Sequence, residues 1–231
     1  MPIKEFVRKI VFGPKASSAS YVAYLRSLGM VIGDNTMIYS PRYCTIDETR
    51  PWMIEIGSNV SITKGVTILT HGYDWSVFKG MYGDVLGSAG RVEIGDNVFI
   101  GMNSTILKGV TIGDNVVIGA NSLINKDVPS NSVVVGNPQR VVCDIDEYLE
   151  KRRAAQLEEA EELYRCWRQN SPGGKRGGAS AGDFLRVLLA VRAARPGAAF
   201  VRGVRKHDAP VRNGGHELRA LYGNRPALRV I

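Results

Sequence analysis

A single histidine, His71, occurs in the first 206 residues, and it opens an aromatic-rich stretch, HGYDWSVFKGMYGDVLGSAGRVE. Imidazole titrates near neutrality, so a histidine can take the proton of a hydroxyl while that hydroxyl attacks a carbonyl carbon. Such a base must be held in one tautomer, through its second nitrogen, by a carbonyl or a carboxylate. Asp47, Asp74 and Asp84 are all available for that task, and the spacing does not choose among them. A lone loop histidine is more often just a solvated side chain. Here, however, the residue stands where a regular pattern breaks off, and loops carried on a rigid scaffold are where function concentrates. The nearby Tyr73, Trp75, Phe78 and Tyr82 could stack on the C–H faces of a ligand or simply pack the loop.

The pattern that breaks is a six-residue repeat. Isoleucine falls at 32, 38, 56, 62 and 68, then at 94, 100, 106, 112, 118 and 124, so eleven of seventeen isoleucines share one register. Neither strand alternation nor the 3.6-residue helical period produces this spacing. Glycine follows the isoleucine at 33, 57, 95, 101, 113 and 119, and Val or Ser sits four residues after it at 60, 66, 98, 104, 110, 116 and 122. The physical reading is a short strand ended by a bend, repeated so that each isoleucine points inward and stacks on the one a full turn away. The IGDN and IGSN segments read as bends built from Gly, for unusual dihedrals, and from Asp or Asn, for local backbone bonds. With 18 residues per turn and about 4.8 Å between stacked strands, residues 32–141 without the break make some five turns, roughly 25 Å tall. The register breaks after Ile68, where residues 72–91 form an extruded loop.

These residues resemble the bacterial transferase hexapeptide family over roughly residues 17–168. The resemblance implies an all-β fold, a left-handed parallel β-helix (hexapeptide solenoid), with a short N-terminal helix and a C-terminal helix. IEIGSNVSITKGVTILTH followed by HGYDWSV looks like the catalytic-histidine segment of sugar O-acetyltransferases of the maltose and galactoside type. By that resemblance His71 is the general base, acetyl-CoA is the acyl donor and no metal is required. The main-chain N–H of Met102 is then the oxyanion donor. IGANSLINKDVPSNSVVVGNPQRVV resembles the family's last turns, with Ala120 lining the pantetheine arm and Lys126 and Arg140 facing the phosphates. Trp75 is the expected acceptor-binding aromatic. The cofactor groove of the family forms between copies, so a homotrimer is implied, with His71 of one subunit facing Lys126 of another. Where maltose and galactoside acetyltransferases carry an acceptor-binding asparagine, this chain reads SPRYCTIDETRPW, with Tyr43 and Cys44. Together with ILTHGYDWSV, that combination is closer to acyltransferases of surface-polysaccharide synthesis. A serine or nucleotide-sugar N-acetyltransferase is the enzymatic alternative, and a trimeric scaffold with a polyanion-binding tail the non-enzymatic one. A γ-class carbonic anhydrase needs three histidines on zinc, which residues 1–206 do not offer.

The elements around the prism follow from composition. Residues 1–31 are expected to form a helical cap, with Tyr21, Val22, Leu25 and Leu28 on one face, serines as N-cap and Gly29 as stop. Residues 32–143 are the β-helix and 144–170 a helix whose apolar stripe is Leu149, Leu157, Ala160, Tyr164 and Trp167. Residues 171–231 are a basic Gly/Ala/Arg-rich tail with a possible short helix over 183–194; its abrupt shift suggests disorder, or an altered reading frame. The formal charge of +8 resides there: residues 1–144 carry 13 basic and 12 acidic side chains, 145–170 carry 5 and 7, and 171–231 carry 12 and 3. A nucleic-acid-binding core is therefore not expected. Cys44, Cys143 and Cys166 form neither a disulfide framework nor a C-x-x-C zinc motif. With no apolar stretch of spanning length, the expectation is a cytoplasmic protein without a transmembrane segment.

Overall fold

The structure, a computed structural model, describes residues 10–170. The tail 171–231, with its helix, disorder and reading-frame expectations, lies outside the described residues, as do the side chains of Tyr164 and Trp167. Two units divide between Ala155 and Gln156.

The first unit is a parallel β-helix with three faces. Face 1 stacks Val31–Ile32, Ile54–Ile56, Val92–Ile94 and Thr111–Ile112; face 2 stacks Met37–Ile38, Ser61–Ile62, Val98–Ile100, Val116–Ile118 and Ser132–Val135; face 3 stacks Thr45–Ile46, Thr67–Ile68, Thr105–Ile106 and Leu123–Ile124. Isoleucines form three vertical columns: Ile32, Ile56, Ile94, Ile112; Ile38, Ile62, Ile100, Ile118; and Ile46, Ile68, Ile106, Ile124. All are buried, most of them completely. Burying a side chain of this size contributes about 1.5–3 kcal/mol, so the columns are the main cohesive element of the prism.

Two sequence expectations are corrected here. The register breaks before Ile68 as well as after it: Ile38 stacks on Ile62 and Ile46 on Ile68, steps of 24 and 22 residues instead of 18. The additional residues form two 3-10 turns, Pro41–Tyr43 and Pro51–Met53, each opened by a buried proline. Ile46 is thus a column member that the six-residue count misses. The glycine and asparagine roles also differ from expectation. Asparagine takes the left-handed conformation at every bend between faces 1 and 2, namely Asn35, Asn59, Asn97, Asn115 and Asn131, with φ between 55° and 58°. The glycine two residues earlier is required by space: a Cβ on Gly57 would stand 2.6 Å from the carbonyl oxygen of Gly95 in the next coil. The asparagine side chains bond in a ladder, Asn97 Nδ2 donating to Asn115 Oδ1 at 2.8 Å and Asn115 Nδ2 to Asn131 Oδ1 at 2.9 Å.

The lower end is covered by α1, Ser18–Ser27, whose N-cap Ser17 accepts from the Ser20 amide in a capping box. Tyr21, Val22 and Leu25 are buried, and Ser18 Oγ accepts the amide of Ile38 at 2.8 Å, satisfying the open edge of face 2. At the upper end Arg140–Asp144 pairs antiparallel with Ser132–Val135. The extruded loop is not irregular throughout. His71–Gly72 pairs antiparallel with Ser88–Ala89 at its base, and between them lies α2, Trp75–Tyr82, ended by Gly83 at φ +80°. No residue of α2 is buried. A further helix, α3, spans Ile145–Asn170. Within it Leu149 is 44% exposed and Ala160 is buried.

Candidate active site

His71 sits on the edge between faces 3 and 1, at the second coil, three residues after the Thr67–Ile68 strand. One coil below on the same edge, Asp47 follows the Thr45–Ile46 strand and donates its own amide to the Ile68 carbonyl at 3.1 Å. That stacking brings Asp47 Oδ2 to 2.7 Å from His71 Nδ1. Of the three carboxylates the sequence left open, Asp47 is the partner.

Asp47 is a buried carboxylate with a full set of donors. Oδ1 accepts from the Thr49 amide at 3.0 Å and from Thr49 Oγ1 at 2.6 Å; Oδ2 accepts from Thr70 Oγ1 as well as from His71. Burial alone would raise its pKa, but the bonds from the Thr49 and Thr70 hydroxyls, the Thr49 amide and His71 prevail and hold it well below the ordinary carboxylate range. An ionised carboxylate only accepts, so a neutral His71 places its proton on Nδ1 and leaves Nε2 bare. This network assigns the tautomer a general base needs. The His71 side chain is 12% exposed, which keeps the ring out of bulk solvent while leaving it reachable.

Tyr73 packs edge-on against the His71 ring at 4.9 Å between centroids, and Trp75 lies 6.3 Å beyond Tyr73. The expected acceptor residue Trp75 is therefore in the neighbourhood of His71 through Tyr73, which is 67% exposed. Trp52, on the 3-10 turn that follows Asp47, is 71% exposed.

The remaining expected site residues divide between two edges of the prism. Met102 and Ala120 stack on the edge between faces 2 and 3, the Asn121 amide donating to the Met102 carbonyl at 2.8 Å. Both are exposed, and the Met102 amide makes no hydrogen bond among the described residues. Lys126 is on the edge between faces 3 and 1, two coils above His71, and Arg140 is in the antiparallel strand at the top. Both cations are exposed and form no ion pair among the described residues. The width of face 3 thus separates Met102 and Ala120 from His71 within one chain, although Met102 is on the next coil. Sequence reasoning missed Gln139. Its Oε1 accepts from the Asn125 amide at 2.8 Å and its Nε2 donates to the Lys126 carbonyl at 2.7 Å, so it clamps the turn that carries Lys126. A separate groove of about 250 Å³, lined by Phe99, Val117 and Ile145 among others, lies on face 2, away from the His71 edge.

No helix among the described residues is long and apolar enough to cross a membrane. The described residues contain no group of three or more His, Cys, Asp or Glu side chains arranged to hold a metal ion.

Residues 91–126 match the family model described as bacterial transferase hexapeptide (six repeats). The chain is 44% identical to Protein CapG of Staphylococcus aureus over 124 residues, which cover 54% of this chain and 71% of that protein. It is 41% identical over 101 residues to the putative acetyltransferase YvoF of Bacillus subtilis, covering 44% of this chain and 54% of that one. Among solved structures, a maltose O-acetyltransferase from Clostridium difficile 630 is 34% identical, with 55% of this chain and 75% of that chain covered and a TM-score of 0.41. The isoleucine columns, the three parallel faces and the extent of the match to CapG lead to one conclusion: the chain belongs to the bacterial transferase hexapeptide family.

Proposed function

We propose that this protein is a cytoplasmic acetyl-CoA-dependent O-acetyltransferase acting on a hydroxyl of a sugar or surface-polysaccharide precursor, with His71 as general base. The observation that carries this reading is the Asp47–His71 pair, in which a fully engaged carboxylate leaves Nε2 as the free base. The family membership, the putative acetyltransferase among the relatives and the loop aromatics beside His71 support it.

In this reading Nε2 of His71 takes the hydroxyl proton as the acceptor oxygen bonds to the thioester carbonyl carbon. The carbonyl oxygen becomes an oxyanion and accepts the free Met102 N–H. When the C–S bond breaks, the proton passes from imidazolium to the departing thiolate, leaving ester, thiol and a neutral His71. Asp47 stabilises the imidazolium between the two transfers, and remains ionised throughout.

His71 and Met102 occupy different edges, so both can serve one reaction only if two copies adjoin. A left-handed prism assembled as a homotrimer, edge to edge, meets that requirement. Ala120 then gives the pantetheine arm a side chain small enough to pass, and Lys126 and Arg140 supply unpaired cations for the phosphates. Trp75, with Tyr73, offers the acceptor an apolar face.

The test is release of CoA thiol from acetyl-CoA in the presence of a panel of glycosides. His71→Ala is expected to lower kcat by about 10²–10⁴ while the variant keeps its Tm. An unchanged rate would exclude His71 as the base, and transfer confined to amino acceptors would replace O- by N-acetylation.

A further inference from the structure

Arg50 follows Asp47 by three residues on the His71 edge and opens the Pro51–Met53 turn. Its Nη1 is buried and has no hydrogen-bond partner, and it forms no ion pair among the described residues. A guanidinium is always charged and its N–H groups are obligate donors, so leaving the buried Nη1 of this half-buried residue without an acceptor is costly. The cheapest explanation is an acceptor brought by something that binds there. A carboxylate or phosphate matches the guanidinium fork best.

A second, independent cluster has the same character. On the edge between faces 2 and 3, also at the bottom of the prism, Arg42 lies 4.2 Å from the Phe12 ring, and Lys64 Nζ lies 4.5 Å from the ring of Tyr43, the residue next to Arg42. Neither cation forms an ion pair among the described residues. Aromatic faces hold these two like charges near one another, leaving their outer sides for an anion. Lys126 and Arg140, proposed above for the phosphates of acetyl-CoA, are at the opposite end of the prism. Arg50 is on the edge between faces 3 and 1 and Arg42 and Lys64 are on the edge between faces 2 and 3, so the edge-to-edge assembly proposed above would bring the two groups to one interface.

We infer that the acceptor is an acidic sugar, bearing a carboxylate or a phosphate, whose anionic group is bound by Arg50, with Arg42 and Lys64 facing it from a neighbouring copy. This inference rests on the acetyl-transfer reading for its kinetic test but not for its binding test.

The full-length protein is assayed with acetyl-CoA and three acceptors: methyl glucoside, glucuronate and glucose 1-phosphate. The acidic acceptors are expected to exceed methyl glucoside in kcat/KM by on the order of 10- to 100-fold. The better of the two identifies carboxylate or phosphate as the source. Arg50→Gln is expected to abolish that preference through KM for the acceptor, with KM for acetyl-CoA unchanged. The Arg42→Gln/Lys64→Gln double variant is expected to reduce it by about 3- to 10-fold, more so at low salt. Arg50→Lys, which keeps the charge but loses the fork, replaces Arg50→Gln if the latter lowers Tm, and is expected to retain part of the preference. Equal or better use of methyl glucoside by wild type, or an undiminished preference in the Arg50 variant, overturns the inference. If no acceptor is acetylated, calorimetric titration with glucuronate and with glucose 1-phosphate decides. Binding that is lost in the Arg50 variant sustains the anion site while the acetyl-transfer reading fails, and no binding to wild type overturns the site itself.

Discussion

Replacing Asp47 by asparagine is the sharpest probe of the dyad, because it changes one atom and inverts the hydrogen bond to His71, the Thr70 hydroxyl turning to accept. Asp47 accepts four bonds, two on each oxygen, with its Oδ2 shared by Thr70 and His71 and its Oδ1 by the amide and hydroxyl of Thr49. Asparagine has one acceptor oxygen and one amino group. If the oxygen stays with Thr49, the amino group faces His71 Nδ1 and donates to it, which forces the imidazole proton onto Nε2. The nitrogen that has to take the hydroxyl proton is then already protonated. If the amide flips, the oxygen keeps His71 in its reactive tautomer, but the Thr49 amide meets a donor and loses its acceptor, costing about 1–3 kcal/mol of stability.

The first arrangement is favoured, since it leaves both Thr49 bonds intact while the Thr70 hydroxyl can rotate to accept. Losing the productive tautomer in a comparable carboxylate–histidine pair lowers kcat by about 10⁴, close to 5.5 kcal/mol at 1.36 kcal/mol per decade. Asp47→Asn is therefore expected to lose about 10³–10⁴ in kcat for acetyl transfer, with KM for acetyl-CoA unaltered. Combining it with His71→Ala is expected to add little to the loss of His71→Ala alone, because the two residues act as one unit. Thiol release under saturating acetyl-CoA measures all three variants. An Asp47→Asn protein that keeps more than about a tenth of wild-type kcat, a loss of under 1.4 kcal/mol, would refute the tautomer argument.

The same carboxylate makes stability depend on pH. Its pKa is lower folded than in the unfolded chain, where about 3.9 is usual, so its contribution is complete above pH ~4 and declines as the pH falls further. The Tm gap between wild type and Asp47→Asn should narrow on going from pH 7 to pH ~3; a constant or widening gap contradicts the depressed pKa. Gln139→Ala frees the turn that carries Lys126, and is expected to raise KM for acetyl-CoA by about 3- to 10-fold with kcat intact, as positioning residues commonly do. Asn115→Val forces a β-branched residue to φ 57° and removes two rungs of the ladder. A penalty of about 1–2 kcal/mol corresponds to a Tm lower by about 3–8 °C, and differential scanning calorimetry would show it, with Asn115→Gly losing less.

Much of the scaffold was legible from eleven isoleucines, because a six-residue period leaves no other way to bury them. The first coil was not, since the step from Ile38 to Ile56 is 18 residues and mimics a full turn, whereas the structure stacks Ile38 on Ile62. Face 3 carries the Thr-Ile pair at Thr45–Ile46, Thr67–Ile68 and Thr105–Ile106, but Thr111–Ile112 on face 1 shares it, so the pair alone does not restore the register. The glycines were misread for a related reason. A sequence reports that a side chain is absent, but not whether torsion or a neighbouring coil excludes it. Here the neighbouring coil does.

That first-coil displacement also explains why the partner of His71 stayed open. Asp74 and Asp84 are nearer in sequence, and the loop containing them could fold back on the ring. Once Ile46 is placed under Ile68, Asp47 must lie beneath the segment Leu69–Thr70–His71, because adjacent coils of a parallel ladder keep their register. The two proline-opened turns insert residues into that coil without disturbing its stacking, and the second of them, Pro51–Met53, follows Asp47 in the chain and carries Trp52, with Arg50 as its N-cap. The departures from the repeat thus coincide with the chemistry. A solenoid spends the inward positions of its regular coils on closing its own core; the Asp47–His71 pair and the aromatics around it stand where the period is interrupted, on the first coil below His71 and in the loop that begins with it, whereas Met102 and Ala120 are on regular bends.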